Sequence, residues 1–287
     1  MSEPRQSTVS AVVTRPKVCL ITGASSGIGH ATALELLRAG HTVYGAARRQ
    51  QLMIDLERAG GAALPMDVTK EEDLQRVVQT IMSEQQRIDV LINNAGMVIH
   101  GSVEDTPIEA ARRHFDVNVL APARLVQLVL PYLRQQKSGT IVNVSSIGGE
   151  IALPLGAWYY ASKHALEAMS DTLRMEVESF GVNVVVIQPG IIRTDFESAI
   201  AQDLRMISGD GAYRDMAEAM AKAAEKQSTA ADQASSPSVV AEAIRTAIEA
   251  DRPDTRYVVG WQAEALLNLN RTLSDREFDA AITGGLR

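Results

Sequence analysis

A tyrosine and a lysine in this sequence have the types and the spacing needed for acid–base chemistry. Tyr159 and Lys163 stand four residues apart near the start of a predicted helix from Trp158 to Phe180, so their side chains share one face. A free tyrosine has a pKa of about 10, which is too high for proton transfer near neutrality. Because an adjacent ammonium favours the phenolate and lowers that pKa, the pair is a candidate for proton exchange with a substrate, with an ordinary solvated helix face as the alternative.

Neighbouring residues offer alternatives to two candidate groups. Tyr160 could replace Tyr159, but His164 rather than a lysine follows it four residues later. Ser146 is a candidate hydroxyl thirteen residues before Tyr159, just past a predicted strand, and Ser145 is its rival. The structural alternative for either serine is to cap the turn in which that strand ends.

A glycine-rich loop marks a candidate nucleotide site near the start of the chain. Gly23, Gly27 and Gly29 follow the apolar run Val18–Ile21 with the spacing G-x-x-x-G-x-G, and a helix rich in Ala and Leu comes next. Glycines allow the backbone to turn tightly and to approach a pyrophosphate, which then lies at the helix N-terminus. The loop therefore predicts dinucleotide binding, with a plain strand-to-helix turn as the alternative.

The end of the second predicted strand bears on which dinucleotide is bound. An acidic residue there would hydrogen-bond the free ribose 2′-hydroxyl of NAD and would repel the 2′-phosphate of NADP. This chain instead has Ala47 followed by Arg48 and Arg49, and guanidinium groups hold phosphate through paired, charge-assisted hydrogen bonds. Ser26 in the glycine loop could add a neutral donor. We therefore expect a preference for NADP, unless the two arginines only begin a solvated helix.

Alternating strand and helix signals supply the framework for these groups. Short apolar runs, typical of strands buried on both faces, alternate with helical segments. This pattern implies right-handed crossovers and a doubly wound parallel α/β sheet of about seven strands. Thr69 to Glu72 and Thr106 to Glu109 both fit a helix capping box. The predicted strands are Val18–Ile21, Thr42–Tyr44, Ala62–Leu64, Val90–Ile92, Thr140–Val144, Asn183–Ile187 and Arg256–Val259.

The segment 195–233 differs in composition from what precedes it. It is rich in Ala, Met, Glu and Lys and is interrupted by Gly209 and Gly211. We predict a mobile, mainly helical lid over an apolar substrate, with one or two surface helices as the plainer alternative. Residues 1–16 are expected to form a flexible tail, and residues 17–287 a single domain. The soft apolar side chains that could line the lid are Ile200, Leu204, Met206, Ile207, Met216 and Met220.

Five motifs, in order along the chain, resemble those of the short-chain dehydrogenase/reductase family in its single-domain branch. They are Thr22 to Gly29, Asp67-Val68, Asn93-Asn94-Ala95-Gly96, the set around Tyr159 and Lys163, and Pro189-Gly190 through Thr194. The resemblance implies a Rossmann-like fold and a set of NADP contacts. Those contacts are Gly23, Ser25, Ser26, Gly27, Ile28, Gly29, Arg48, Arg49, Asp67, Val68, Asn94, Ala95, Gly96, Tyr159, Lys163, Pro189, Gly190, Ile192 and Thr194.

The resemblance also implies a mechanism. Ser146 and Tyr159 would polarise a substrate carbonyl, NADPH would deliver hydride to its carbon, and Tyr159 would give its proton to the oxygen. Lys163 would also bind the nicotinamide ribose. Asn118 would hold a water that links the lysine to solvent, with an ordinary helix-surface position as its alternative. Oxidation would follow the same steps in reverse.

The same resemblance bears on two alternative functions and on the oligomeric state. A catalytically silent nucleotide-binding sensor or scaffold could keep the fold, but such a relative is expected to lack the tyrosine, lysine or serine. An epimerase or dehydratase would not consume NADPH stoichiometrically. The family pairs its subunits through counterparts of the helices predicted at 106–134 and 158–180, which implies a homodimer or homotetramer.

Composition argues against several other classes of function. The chain has 287 residues, with 28 Lys+Arg against 35 Asp+Glu and a net charge of −7, whereas nucleic-acid binding needs a basic surface. Cys19 is the single cysteine, so no disulfide framework or cysteine-rich zinc site is possible, and no metal site is predicted. We expect Cys19 to be buried. No apolar run approaches the roughly 18 residues of a membrane span, and a cytoplasmic location is expected.

Overall fold

The computed structural model describes residues 15–194, 196–229 and 233–284. The strands in these ranges join into one sheet. The strands are β1 Val18–Thr22, β2 Thr42–Ala47, β3 Ala62–Pro65, β4 Val90–Asn93, β5 Gly139–Val144, β6 Val182–Pro189 and β7 Arg256–Val259. Their spatial order is β3-β2-β1-β4-β5-β6-β7, and all neighbours are parallel. The order reverses between β1 and β4, which places a crevice at the carboxyl ends of these two strands.

Helices connect the strands and cover both faces of the sheet. They are α1 Gly27–Arg38, α2 Ile54–Arg58, α3 Glu71–Gln85, α4 Ile108–Phe115, α5 Ala121–Gln136, α6 Ala157–Val177, α7 Phe196–Ser208, α8 Arg214–Thr229, α9 Pro237–Glu249, α10 Ala263–Thr272 and α11 Asp275–Thr283. A π-helical turn, Asp116–Leu120, joins α4 to α5. Within the ranges that the structure describes, none of these helices combines the length and the apolar character needed to cross a lipid bilayer.

Successive residues of β1 pack into two different cores. Cys19 and Ile21 pack with α1 and α9 on one face of the sheet, whereas Val18 and Leu20 pack with α3, α5 and α6 on the other. This alternation follows from the two-residue period of a strand, and a strand covered on both faces has to be apolar throughout. Cys19 is fully buried, as expected, and burial raises the pKa of its thiol.

Asp89 fastens the amino ends of three neighbouring strands. Its carboxylate accepts the Val18 N–H at 2.8 Å, and its own N–H donates to the Val18 carbonyl at 2.8 Å. Its carbonyl accepts the Thr140 N–H at 2.9 Å, while the Arg87 guanidinium donates to both carboxylate oxygens. The starts of β1, β4 and β5 are therefore aligned, and so are the opposite ends, where the candidate site lies.

The predicted strands are confirmed, but the two predicted capping boxes are wrong. The N–H and the hydroxyl of Thr69 both donate to Asp67 Oδ1, at 3.0 and 2.7 Å, and no side-chain hydrogen bond caps α3 among the described residues. The Thr106 hydroxyl donates to the Ser102 carbonyl at 2.6 Å. In both places a local hydrogen bond of the hydroxyl competes successfully with the helix cap.

The segment after residue 194 contains two helices that pack against each other. α7 and α8 share an apolar core in which Leu204 and Ala217 pack with Leu155. The segment is thus helical, as expected, while its role as a lid stays a prediction. Met206 is 70% exposed on the outer side of α7, so it does not line a pocket beneath that helix. Residues 195 and 230–232 of the predicted lid, and residues 1–14 of the predicted tail, lie outside the described residues.

Asp89→Ala should lower the free energy of unfolding by about 2–3 kcal/mol, because the buried Val18 N–H and the Arg87 guanidinium lose their acceptor. Chemical denaturation followed by circular dichroism measures this change. Arg112→Ala is the control, since Arg112 pairs with Glu109 on the open surface, where ion pairs contribute little. A loss below about 1 kcal/mol for Asp89→Ala would show that the strand starts do not depend on this carboxylate.

Candidate active site

The glycine loop joins β1 to α1 at the crevice. Gly23 and Gly27 have φ values of +69° and +56°, a region that glycine occupies without steric cost. A Cβ at Gly23 would lie 2.9 Å from the Cα of Ala95. Among the described side chains none caps the first turn of α1, and that turn contains no acidic residue. The N–H groups of this turn are therefore available to an anion.

Asn94 and Ala95, just past β4, brace the glycine loop. Their N–H groups donate to Thr22 Oγ1 at 3.0 and 2.9 Å, and Asn94 Nδ2 donates to the Thr22 carbonyl at 2.9 Å. A Cβ at Gly29 would lie 2.3 Å from Asn94 Nδ2, so this close approach accounts for the third glycine. Gly96 is exposed at the crevice. Two of the predicted motifs thus meet where the strand order reverses.

Arg48 and Arg49 are exposed at the carboxyl end of β2. Arg49 donates to Ser26 Oγ at 3.2 Å, beside the glycine loop. On the other side lies Asp67, where hydrogen bonds from Thr69 hold the pKa below its usual range and the Arg48 charge adds to this effect. Two guanidinium groups and the open N-terminus of α1 form a donor set that fits the phosphates of a dinucleotide. The remaining predicted contacts of this region, Ser25, Ile28 and Val68, are half-buried around it.

The loop 190–194, which follows Pro189 at the end of β6, lies against the glycine loop. A Cβ at Gly190 would lie 2.3 Å from the Trp261 carbonyl oxygen, so only glycine fits there. Ile192 is buried. Thr194 reaches the glycine loop, because its Cγ2 would be 3.1 Å from a Cβ at Gly27. The structure therefore brings a third predicted motif to the same crevice.

Tyr159 and Lys163 lie in the first two turns of α6, and each is only 8% exposed. Lys163 Nζ donates to the Val144 carbonyl at the end of β5, at 3.0 Å, and lies 5.9 Å from the centre of the Tyr159 ring. Burial lowers the pKa of Lys163 to about 8, and the negative charge of Glu167 opposes this effect. An ammonium group and a phenol ring are thus enclosed together.

The two candidate serines differ in what surrounds their hydroxyl groups. Ser146 is half-buried, and its Oγ accepts the Gly148 N–H at 3.0 Å where a short helical turn begins. It therefore caps a turn, and its hydroxyl hydrogen is left to donate elsewhere. Ser145 is buried, and its Oγ has no hydrogen-bond partner within the described part of the chain. The geometry favours Ser146 as the group that meets a substrate.

Asn118 lies in the π-helical turn between α4 and α5 and is buried, so the helix-surface alternative is wrong. Its Oδ1 accepts the Met97 N–H at 3.0 Å, and its Nδ2 donates to the Met97 carbonyl at 3.1 Å. These bonds hold the segment after β4 against the helix that contains Asn118. Its role in holding a water stays a prediction.

Sequence reasoning missed two buried histidines that pack on Tyr159. The centres of the His100 and His114 rings lie 5.6 and 6.2 Å from the centre of the Tyr159 ring. Burial lowers the pKa of His100 to about 4 and that of His114 to about 3, so both are neutral at pH 7. His114 Nε2 also lies 3.1 Å from Ser162 Oγ, which donates to the Tyr159 carbonyl at 2.7 Å. Isolated histidines carry no spacing signal that could have identified them.

Comparison with known proteins identifies the family. The family model described as short chain dehydrogenase matches residues 17–205. A Helicobacter pylori protein, named as the probable short-chain type dehydrogenase/reductase VdlC, is 36% identical over 264 residues, covering 92% of this chain and 95% of its own. The 3-ketodihydrosphingosine reductase of Bacteroides thetaiotaomicron is 42% identical over 182 residues, covering 63% and 66%. This chain belongs to the short-chain dehydrogenase/reductase family of oxidoreductases.

Solved structures agree with this fold. A short-chain dehydrogenase from Streptomyces avermitilis is 32% identical, with a TM-score of 0.73 over 88% of this chain and 92% of its own. Two more distant structures share the fold at TM-scores of 0.70 and 0.76. They are a Thermococcus sibiricus alcohol dehydrogenase complexed with 5-hydroxy-NADP and a Burkholderia phymatum short chain dehydrogenase/reductase in complex with NAD. Both forms of the dinucleotide therefore occur among the structural neighbours.

Ser146→Ala should lower kcat/KM for a carbonyl substrate about 100-fold, because one hydrogen-bond donor to the developing negative oxygen is lost. Ser145→Ala is the matched control and should stay within about threefold of wild type, since its hydroxyl is buried. Steady-state assays of NADPH oxidation measure both variants. A larger loss for Ser145→Ala than for Ser146→Ala would reverse the assignment.

Proposed function

We propose that this chain catalyses NADP-dependent hydride transfer to or from a carbonyl or alcohol carbon of a small, apolar substrate. The observation that carries the proposal is the enclosed Tyr159–Lys163 pair. The half-buried Ser146 accepts the N–H of Gly148, and a Cβ at Gly148 would lie 3.1 Å from Tyr159 Cε1. The name of the Bacteroides relative, a reductase of a keto compound, supports a carbonyl as the reacting group. We also retain the expectation of a cytoplasmic location.

Each catalytic side chain has a separate role in the reducing direction. Ser146 and Tyr159 hold the substrate oxygen by hydrogen bonds, and Tyr159 then gives that oxygen its proton. When bound, NADPH supplies the hydride that the carbonyl carbon accepts. Lys163 is mainly charged below pH 8 and stabilises the phenolate that Tyr159 becomes. Its remaining N–H groups are available to the nicotinamide ribose, and Asn118 holds the water that restores the proton.

The preference for NADP is proposed from the end of β2. Ala47 stands where an acidic residue would favour NAD, and it is buried. Arg48 and Arg49 are exposed beside the glycine loop, where a 2′-phosphate would lie, and the Arg49–Ser26 bond at 3.2 Å holds one guanidinium there. Two positive charges next to the loop favour the cofactor that has the additional phosphate.

The lid is proposed from the contacts that α7 makes over the catalytic tyrosine. The ring centre of Phe196, at the start of α7, lies 5.7 Å from that of Tyr159. Farther along, Asp203 accepts the His100 N–H at 3.3 Å, and Ser208 Oγ accepts the Ser102 N–H at 2.9 Å. We expect these polar bonds to break and re-form, so that α7 opens for the substrate and excludes water when closed.

A homodimer or homotetramer is proposed from the outer faces of α5 and α6. Between these helices lies a cleft of about 440 Å³ lined mainly by apolar side chains, among them Ala123, Val126 and Met169. Leu120 and Met175 beside it are 57% and 64% exposed. An apolar face of this kind on two adjacent helices is suited to cover its counterpart in a second copy.

The competing functions are less well supported. A silent sensor or scaffold would not need an enclosed tyrosine–lysine pair with a serine hydroxyl beside it. An epimerase or dehydratase would return its cofactor unchanged. Stoichiometric NADPH consumption with a ketone therefore separates the proposed reductase from both alternatives.

Tyr159→Phe should lower turnover by about 10²–10⁴-fold, because the substrate oxygen loses its proton donor. NADPH binding, followed by fluorescence titration, should remain within about threefold of wild type, since the phenyl ring still fills its place. Tyr160→Phe is the matched control and should keep most of its turnover. Burial raises the pKa of Tyr160, which opposes an acid–base role. Turnover above about a tenth of wild type for Tyr159→Phe would contradict the assignment.

Arg48→Ala should weaken NADP binding about ten- to a hundredfold, as expected for one lost charge-assisted contact to a phosphate. Its effect on NAD should stay within about threefold, because NAD has no 2′-phosphate to contact. Calorimetry with both cofactors measures the two changes. Arg38→Ala, on the surface at the far end of α1, is the control and should change neither. Equal losses for NADP and NAD, or a wild type that prefers NAD, would refute the proposal.

A further inference from the structure

We infer that Glu167 is a positioning residue that keeps Lys163 charged throughout the reaction. Glu167 touches neither the substrate nor the cofactor in the proposed mechanism, and it acts only through the lysine. The inference rests on the proposed function, because it assigns a role within the same proton-transfer site.

Glu167 lies one helical turn after Lys163 on the same face of α6. Side chains at this spacing have Cβ atoms about 5–6 Å apart. Glu167 is only 6% exposed, and charges enclosed together are screened far less than charges in solvent. The carboxylate therefore supplies a negative charge next to an ammonium group that has lost most of its water.

Two neighbouring strands fix the carboxylate in a single position. Its Oε1 accepts a hydrogen bond from Gln188 Nε2 on β6, at 3.1 Å, and its Oε2 accepts one from Arg256 Nε on β7, also at 3.1 Å. Arg256 Nη2 in turn donates to Asp171 Oδ2 at 2.7 Å, one turn farther along α6. Because both of its oxygens are bonded, the Glu167 carboxylate cannot rotate away from the lysine.

The network continues to the C-terminal helices. Gln188 Nε2 also donates to Glu150 Oε1 at 2.7 Å, and Arg271 on α10 donates to the other oxygen of Glu150 at 2.9 Å. Burial would raise the pKa of Glu150, but the bonds from Gln188 and Arg271 hold it below its usual value. The ionisable groups that surround the Lys163–Glu167 pair are Tyr159 and Asp171 on α6, His114 on α4, Glu150, Arg256 on β7 and Arg271 on α10.

A purely structural reading is that Glu167 only fastens β7 to α6 through Arg256. The contacts on Arg256 make the two readings separable. Asp171 binds the same guanidinium but lies eight residues from Lys163, two turns along the helix, and is 38% exposed. Removing the charge of Asp171 should weaken the attachment of β7 and leave the lysine unaffected. Removing the charge of Glu167 should weaken the attachment of β7 and should also lower the pKa of the lysine.

Glu167→Gln should shift the alkaline limb of the kcat/KM profile toward lower pH by about one pH unit. Lys163 works as the ammonium, with a pKa of about 8 that the Glu167 charge supports. Without that charge the ammonium loses its proton at a lower pH. The rate at pH 8–9 should therefore fall roughly tenfold, while the rate at pH 6 stays near that of wild type. The assay uses saturating NADPH and whichever of acetophenone or 2-decanone the wild type reduces faster.

Asp171→Asn is the matched control: it removes the same charge from the same network and should leave the limb in place. If Glu167→Gln does not fold, the double variant Glu167→Met, Arg256→Met replaces the whole ion pair with apolar side chains, which buried sites often tolerate. It should shift the limb in the same direction but by less, because the positive charge of Arg256 is lost with the carboxylate. An unchanged limb in a folded Glu167 variant, or an equal shift in Asp171→Asn, overturns the inference. A wild type that oxidises no NADPH with either ketone contradicts the proposed function instead.

Discussion

The hydroxyl of Thr22 joins the two strands between which the order of the sheet reverses. It accepts the N–H groups of Asn94 and Ala95, and the Asn94 side chain returns a hydrogen bond to the Thr22 carbonyl. The connections that leave the two strands diverge at such a point, so the loops that follow would otherwise separate. With this bond in place, the glycine loop lies at a fixed distance from β4, and the loop after β6 packs on it through Thr194. α6 then approaches the end of β5, where Lys163 donates to the Val144 carbonyl.

Burial gives the residues around Tyr159 very different charges. His100 and His114 lose their positive charge when enclosed, whereas Lys163 keeps most of its own at neutral pH. The difference follows from the ordinary pKa values, because a lysine starts about four pH units above a histidine. The same desolvation therefore leaves a positive charge at Lys163 and neutral rings beside Tyr159. Such neutral rings can fill space around the phenol without competing for its proton.

The sequence predicted what is encoded locally. Continuous apolar runs identify the strands because a sheet covered on both faces requires them. The glycine loop is recognisable because side chains there would collide with a bound pyrophosphate and with Asn94 and Ala95. The histidines on Tyr159 could not be predicted, since the rings meet only when separate elements pack. The capping role predicted for Thr69 is wrong because Asp67, only two residues away, binds Thr69 instead. Both the cap and this bond are local, so the sequence does not distinguish them. The bond between Glu167 and Arg256 spans 89 residues and leaves no pattern in the sequence.

That separation has a consequence for how the enzyme forms during synthesis. A ribosome adds about 5–20 residues per second, so about 5 to 20 seconds pass between the translation of Glu167 and that of Arg256. During this interval α6 can already pack on the sheet, but it would enclose a carboxylate whose cation does not yet exist. A nascent chain in this state is expected to keep that end of α6 hydrated. The site would then become dry only when the last strand is added, and the order of translation would delay activity until the chain is nearly complete.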